Sequence, residues 1–432
     1  MKKGKIKKGL KKAGKITLII LAVILAIVIV LCVFGCIANP ILNKGHMENV
    51  NSISKVEYEN QLVPQRDADG VWTFTTDNDL RVMQLTDVHI GAGWMSTSKD
   101  TMAINAVATM IRVEKPDLVI VTGDIVYPVP FQAGTLDNMK SAEIFATLME
   151  NLGVYWLPVF GNHDTESYSK YTREDISKFY ADEKWEYCLF EDYPDDNVDG
   201  FCNFVVNVKN SMGIITQSLY TFDSHSYVDN DYLGLLWKYD NIHDNQVDWY
   251  KKNVEKYNNQ NIELINSGDF ENKAELLEKY SVIKSLAFWH VPAKEYLYAW
   301  NEFVAANYQN TENAKHYYGV VKEGGKLVYS GVYDDNIFEA MQETGSTKGI
   351  FCGHDHVNNF SIEYKGIRLT YGLSVDYLAY SGISKLGSQR GCTMITITPD
   401  GSFDCTPENY YQDKYATDMR EAVTMQDLGE AE

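Results

Sequence analysis

Five short blocks of the chain collect side chains able to hold metal ions: LTDVHIG (residues 85–91), VTGDIVY (121–127), VFGNHD (159–164), FWHVP (288–292) and FCGHDHVN (351–358). They contain Asp87, His89, Asp124, Asn162, His163, His290, His354 and His356, and five of the nine histidines of the protein. Aspartate, asparagine and histidine without thiolate form an oxygen and nitrogen donor set that suits divalent Mn, Fe or Zn. A set of this size is enough for two ions. Ions about 3.5–4 Å apart need a bridging carboxylate, and together they activate water as hydroxide and clamp the oxygens of a phosphoryl group. Asp124 is the expected bridge, with Asp87, His89 and His356 completing one site and Asn162, His290 and His354 the other. The expected chemistry is phosphoester hydrolysis by a metal-bridged hydroxide.

His163 directly follows a ligand, so it is expected in the same pocket as the proton donor to the departing alkoxide. Asp164 is expected either to hold that ring in one tautomer or to cap a helix. Each block alone has a plainer reading, since Asp-x-His is common on surfaces and Gly-Asp often marks only a turn. It is their order, each after a strand, that carries the inference. His225, which follows Phe222-Asp223, is a rival to His290, with a polar loop residue as its plainer reading. Asn358 and Arg390 are weaker candidates for orienting a phosphate, and an arginine in a loop is more often an ion-pair residue. His243 and His316 carry no motif.

The elements that would position these residues are readable around them. Apolar residues recur at helical spacing over Lys99–Glu114, and the run Leu118-Val-Ile-Val then marks a buried strand. Asp137–Leu152 repeats the helix and Val154–Phe160 the strand. This βαβαβ pattern implies parallel strands covered by helices, with reactive residues beyond the strands' C-terminal ends. An opening hairpin is expected from residues 71–75 and 80–85 around Asp77-Asn78-Asp79. Residues 165–285 read as an elaboration shaping a substrate rim, with strands at Phe204–Val208 and Ser218–Phe222 and helices near 245–257 and 274–283. Strands are also expected at 285–289, 349–352, 360–364, 367–371 and 393–398, and helices after Pro292 and near 336–343. Pro399-Asp400-Gly401 is a turn signal.

Eight lysines and no acid precede an apolar stretch from Ile16 to Ala38, long enough to cross a bilayer. The expected topology is one transmembrane helix (16–38), a basic cytoplasmic segment (1–15) and the remainder outside. A cleaved signal, or a lipoprotein processed at Cys36, would export the same domain. Residues 39–70 read as a stalk, 71–412 as the domain and 413–432 as an acidic tail. Without the leading lysines, 31 basic residues face 59 acidic ones, about −28, which argues against nucleic acid as a partner. Screening over about 8 Å lets a cationic pocket act independently of that surface, favouring small or tethered phosphoesters. Seven cysteines show no disulfide or zinc spacing, and Cys188 with Cys202 is the one pair considered for a bridge.

Together the blocks resemble those of the calcineurin-like metallophosphoesterases, in which Asp-x-His, Gly-Asp, Gly-Asn-His-Asp/Glu, a lone His and Gly-His-x-His occur in this order. The resemblance spans roughly residues 80–400. EKPDLVIVTGD, VFGNHD, LAFWHVP and FCGHDHVNNF are similar to fungal and plant phosphatases related to purple acid phosphatases. It implies an α/β fold with a two-layer β-sandwich flanked by helices, four layers in all, a dinuclear centre, and phosphomonoesterase or phosphodiesterase activity. Tyr127 has the tyrosine spacing of true purple acid phosphatases, whose first block lacks the histidine present here as His89. The expectation is that His89 is the ligand and Tyr127 a packing or rim residue, so that iron–tyrosinate colour is absent. A non-catalytic surface protein that keeps the metal site is the alternative from another class.

Overall fold

A computed structural model of the chain describes residues 2–192, 197–380, 383 and 390–415. The first element is a long helix, α1 (Lys2–Ser52), whose apolar segment is exposed. Strands β1 (Gln65–Arg66), β2 (Trp72–Thr75) and β3 (Leu80–Leu85) follow, then α2 (Thr97–Glu114), β4 (Leu118–Thr122), α3 (Asn138–Leu152) and β5 (Tyr155–Val159). The middle of the chain supplies α4 (Arg173–Tyr180), β6 (Phe204–Lys209), β7 (Ile215–Thr221), α5 (Asp244–Ser267) and α6 (Lys273–Tyr280). After these come β8 (Lys284–Phe288), α7 (Glu295–Ala305), β9 (Ala314–Tyr318), α8 (Ile337–Thr344) and β10 (Thr347–Cys352). The chain closes with β11 (Ser361–Tyr364), β12 (Ile367–Tyr371), β13 (Gly391–Ile397) and β14 (Phe403–Asn409).

These strands form two sheets, β14-β13-β3-β4-β5 and β1-β2-β6-β7-β8-β10-β12-β11-β9. In the first, β3, β4 and β5 run parallel through the crossover helices α2 and α3, as the βαβαβ pattern predicts. Every residue of β4 is buried, which is why it reads as a continuous apolar run and not as an alternation. Period-two alternation sorts the second sheet. Leu219, Leu286 and Phe351 join the core shared with Val82, Ile120 and Ile395 of the first sheet. Their neighbours Tyr220, Ala287 and Ile350 instead pack outward with residues of α5, α7 and α8. The result is helix, sheet, sheet, helix, the four layers expected.

Several boundaries differ from the sequence reading. Residues 71–75 and 80–85 do not form a hairpin, because β2 pairs in parallel with β6 (Thr73 with Asn207) while β3 enters the other sheet beside β4 and β13. Strands β9 and β14 were not expected. The segment 39–70 is not a free stalk: α1 continues to Ser52, and Asn43, His46 and Val50 are buried against the domain. At the other end Tyr415 is buried and donates to Glu114 at 2.8 Å, so the domain extends past 412; the acidic tail from 416 lies outside the described residues. All seven cysteines are free thiols, Cys188 and Cys202 included.

Candidate metal centre

The candidate residues stand on the turns that leave parallel strands. Thr86–His89 follows β3, Gly123-Asp124 follows β4, Gly161–His163 lies beyond β5, His290 beyond β8, and Gly353–His356 follows β10. Four of these residues adopt left-handed backbone: Asp87 (φ 51°), His89 (φ 54°), Asp124 (φ 53°) and His354 (φ 77°). Non-glycine residues seldom do so, although Asn, Asp and His are the least averse. Two glycines make room for close approach. A Cβ on Gly123 (φ 88°) would lie 2.5 Å from His290 Nδ1, and one on Gly161 would collide with the Asp124 carboxylate.

Ligand atoms of Asp87, His89, Asp124 and His356 all lie within 4.8 Å of one another. Asp124 Oδ2 is 3.3 Å from His89 Nε2 and 3.1 Å from His290 Nε2, and Asp87 Oδ1 is 3.2 Å from His356 Nε2. His290 Nε2 also faces Asn162 Oδ1 at 3.1 Å and His354 Nδ1 at 3.3 Å. All seven residues expected as ligands therefore meet. His225 does not join them, since its ring stacks on His243 and its Nε2 pairs with Gln246 at 3.1 Å.

The outward nitrogens of these rings show that the set fits cations. His89 Nδ1 lies 3.2 Å from one oxygen of Asp376, and His356 Nδ1 lies 3.1 Å from the other. His290 Nδ1 lies 2.8 Å from the Thr122 carbonyl. The Asp376 and Thr122 oxygens accept hydrogen bonds from His356 and His290, so these two rings keep their proton on Nδ1 and turn the Nε2 lone pair inward, while the nearby Asp376 charge favours the same tautomer at His89. There the lone pairs meet carboxylate and carboxamide oxygens, which are also acceptors. Either added protons or cations must satisfy such a cluster. Burial opposes charge at Asp124, but the His290 and His163 rings beside it hold its carboxyl well below the ordinary range. Burial likewise opposes charge on His290, yet Asp124 pushes it up to about 9. A bound divalent cation displaces protons held in this way.

Asp376 was not anticipated from sequence, although it is the one acid in the stretch GLSVDYLAY (372–380) and is fully buried. A lone buried carboxylate in apolar sequence needs a partner, and that was the available signal. Asp376→Asn is expected to keep the fold while lowering metal affinity or turnover about 10–100-fold, as measured by metal titration; unchanged affinity would remove its orienting role.

Asp164 departs from expectation. Its carboxylate accepts the backbone N–H groups of Asp124 (2.9 Å), Val126 (2.9 Å) and Gly161 (2.7 Å), tying together the turns after β4 and β5. It neither caps a helix nor meets the His163 ring. The orienting carboxylate is Glu166, whose Oε1 lies 2.7 Å from His163 Nδ1 and accepts from Tyr227 Oη at 3.2 Å. Tyr227 in turn accepts from Asn162 Nδ2 at 3.0 Å. Glu166 lies three residues after His163, so the acid next to the histidine in sequence, Asp164, is not the one next to its ring.

The loop beyond β5 is braced by Arg173, which pairs with buried Asp223 and donates to Gly161 O at 2.7 Å and Ser226 Oγ at 2.6 Å. Arg173→Met leaves Asp223 uncompensated, and the expected loss is about 3–5 kcal/mol in urea unfolding. A loss under about 1 kcal/mol would mean that the pair contributes little.

Arg390 and Asn358 are structural. Arg390 donates to Asp376 O at 2.7 Å and Tyr411 Oη at 3.0 Å, and Asn358 accepts from the backbone of Lys322 and Glu323, both at 3.0 Å. Tyr127 donates its hydroxyl to Gln132 at 2.7 Å and lays its ring 4.5 Å from that of His89, as a packing residue would.

A cleft of about 660 Å³ opens onto His163, His354 and His356, and six tyrosines line it: 127, 168, 227, 239, 329 and 380. Its wall includes Glu166, Tyr227, Leu235 and Trp237 from the expected 165–285 rim.

The family model for calcineurin-like phosphoesterases matches residues 80–358. Among curated relatives, probable inactive purple acid phosphatase 14 of Arabidopsis thaliana is 29% identical over 331 residues, covering 72% of this chain and 74% of its own length. Probable inactive purple acid phosphatase 29 of the same plant is 25% identical, with 75% and 78% covered. Phosphatase DCR2 of Saccharomyces cerevisiae is 26% identical over 67% of this chain and 46% of its own length. A crystal structure of a dimetal phosphatase from Danio rerio aligns at a TM-score of 0.46 with 9% identity, covering 77% of this chain and 97% of that one.

Proposed function

The chain belongs to the calcineurin-like phosphoesterase family, and from that premise we propose that it is a phosphoester hydrolase using two divalent ions, held at a membrane by α1 with its catalytic domain outside the cell. The observation that carries the catalytic part is the inward-turned Nε2 of His89, His290 and His356 facing Asp87 and Asp124. Ions of the Mn, Fe or Zn type would supply positive charge to the phosphoryl oxygens and lower the pKa of water. Asp87, His89 and His356 would hold one, Asn162, His290 and His354 the other, and Asp124 both. His163 lines the cleft with Nδ1 committed to Glu166, which leaves Nε2 to give a proton to the departing ester oxygen. The lysine-rich start and apolar span of α1 support anchoring.

Two of the relatives carry "inactive" in their names, and this favours a second reading, a surface protein that binds metal or phosphate without turnover. The paired His163 and Glu166 support catalysis, since a purely binding site gains nothing from an oriented proton donor. The test is release from 4-nitrophenyl phosphate and bis(4-nitrophenyl) phosphate by the full chain with Mn²⁺, Fe²⁺ or Zn²⁺, before and after chelation. Metal-dependent turnover of either ester is expected, and the preferred ester identifies monoester or diester chemistry. Stoichiometric metal without turnover would instead establish the binding protein.

A further inference from the structure

The way α1 joins the domain points to a substrate. The apolar stretch from Ile16 to Ala38 spans about 35 Å at about 1.5 Å per residue, against roughly 30 Å of bilayer hydrocarbon. At its far end the Phe34 ring meets Trp94 at 5.1 Å. One turn later the Asn39 side chain donates to Gly134 O at 3.2 Å and accepts from Trp94 N at 2.9 Å. No stalk separates the two. If α1 spans the bilayer, the loops carrying Trp94 and Gly134 sit where the helix leaves the hydrocarbon.

A groove of about 980 Å³ lies between helix and domain, with Leu31 and Cys32 on one wall and Met95, Phe131 and Leu136 on the other. Pro130 and Phe131 also line the metal cleft, so groove and cleft adjoin across these two residues. Phe131 is 83% exposed, an unusual position for a large apolar ring. Leu235 and Trp237, which line the same cleft, are also apolar and are 74% and 58% exposed. A water-soluble ester needs no such path, whereas a tail that stays in the bilayer does.

We propose that the substrate is a phosphoester of a membrane lipid, with its phosphate in the metal cleft and its apolar tail lying along the groove beside α1. The proposal rests on the hydrolase and anchor readings above and adds the substrate class. In the reaction the oxygen of water bonds to phosphorus, the bond from phosphorus to the ester oxygen breaks, and a proton from water ends on that oxygen. For a monoester the products are a lipid alcohol and inorganic phosphate.

The full chain, reconstituted in phosphatidylcholine vesicles, would be given phosphatidic acid as lipid monoester and phosphatidylglycerol as lipid diester. The two aryl esters would be measured in the same vesicles. Met95→Asp and Leu136→Asp alter groove residues that are 44% and 43% exposed and lie outside the metal cleft. Each is expected to lower the ratio of lipid to aryl turnover about tenfold or more. A ratio unchanged within about twofold, or wild-type protein that cleaves an aryl ester and neither lipid, overturns the lipid proposal and leaves the hydrolase reading standing. Wild-type protein that cleaves neither aryl ester and neither lipid overturns both. As a readout independent of turnover, a photoactivatable phosphatidic acid should label residues 94–95 or 129–137. Crosslinks there between two copies of the chain would assign the groove to self-association and overturn the proposal.

Discussion

Asp124→Ala is expected to leave a folded protein that binds at most one ion and has lost turnover by about 10³-fold or more, some 4 kcal/mol of transition-state stabilisation. Asp124 is the carboxylate that faces both halves of the cluster, through His89 and His290. Its other oxygen accepts the backbone N–H of His163 at 2.7 Å, so the alanine also strands a buried donor, costing about 1–3 kcal/mol of stability. Asp124→Asn separates the two effects. The amide oxygen can still accept from His163 while the negative charge is gone, so stability should largely return and metal should not. Elemental analysis, urea unfolding and turnover on the same preparations make the comparison. Two ions and normal turnover in either variant would sink the bridging assignment.

His163→Ala is expected to lower kcat by about 10²–10⁴-fold with metal content unchanged, the range for loss of a positioned general acid. The leaving group provides the sharper diagnostic. A nitrophenolate departs without help, whereas an alkoxide must be protonated, so the loss should be large for an alkyl phosphate and small for 4-nitrophenyl phosphate. Glu166→Gln should give the same pattern more weakly, because the ring remains but its tautomer is no longer enforced. Equal losses on both esters, or departure of metal with His163, would mean that the histidine holds the site and does not donate the proton.

The site was legible because the donors sit next to strands whose runs are unmistakable. β4 is buried on both faces, and the glycine and aspartate after it stand at the end of an apolar block. What escaped was set by tertiary partners. β2 alternates as a hairpin strand would, yet its pairing with β6 is fixed by residues some 130 positions away, and sheet context decides such cases more than propensity does. β14 carries Pro407 and lies at a sheet edge, the place where proline is tolerated. The continuation of α1 was hidden by polarity: its buried face presents Asn43 and His46 before Val50, so helical spacing is present without the apolar residues that advertise it. Asp376 and Glu166 share one difficulty. Orienting a ring requires only a carboxylate at the right point in space, and no fixed separation along the chain follows from that.

The left-handed backbone at Asp87, His89, Asp124 and His354 carries an evolutionary corollary. Each such residue is held in a conformation that glycine would occupy at roughly 1–2 kcal/mol less cost. Glycine at any of the four should therefore yield a chain that resists unfolding better than its alanine counterpart while being equally inert. A lineage freed from the need for catalysis would be expected to accept glycine at these turns in preference to alanine.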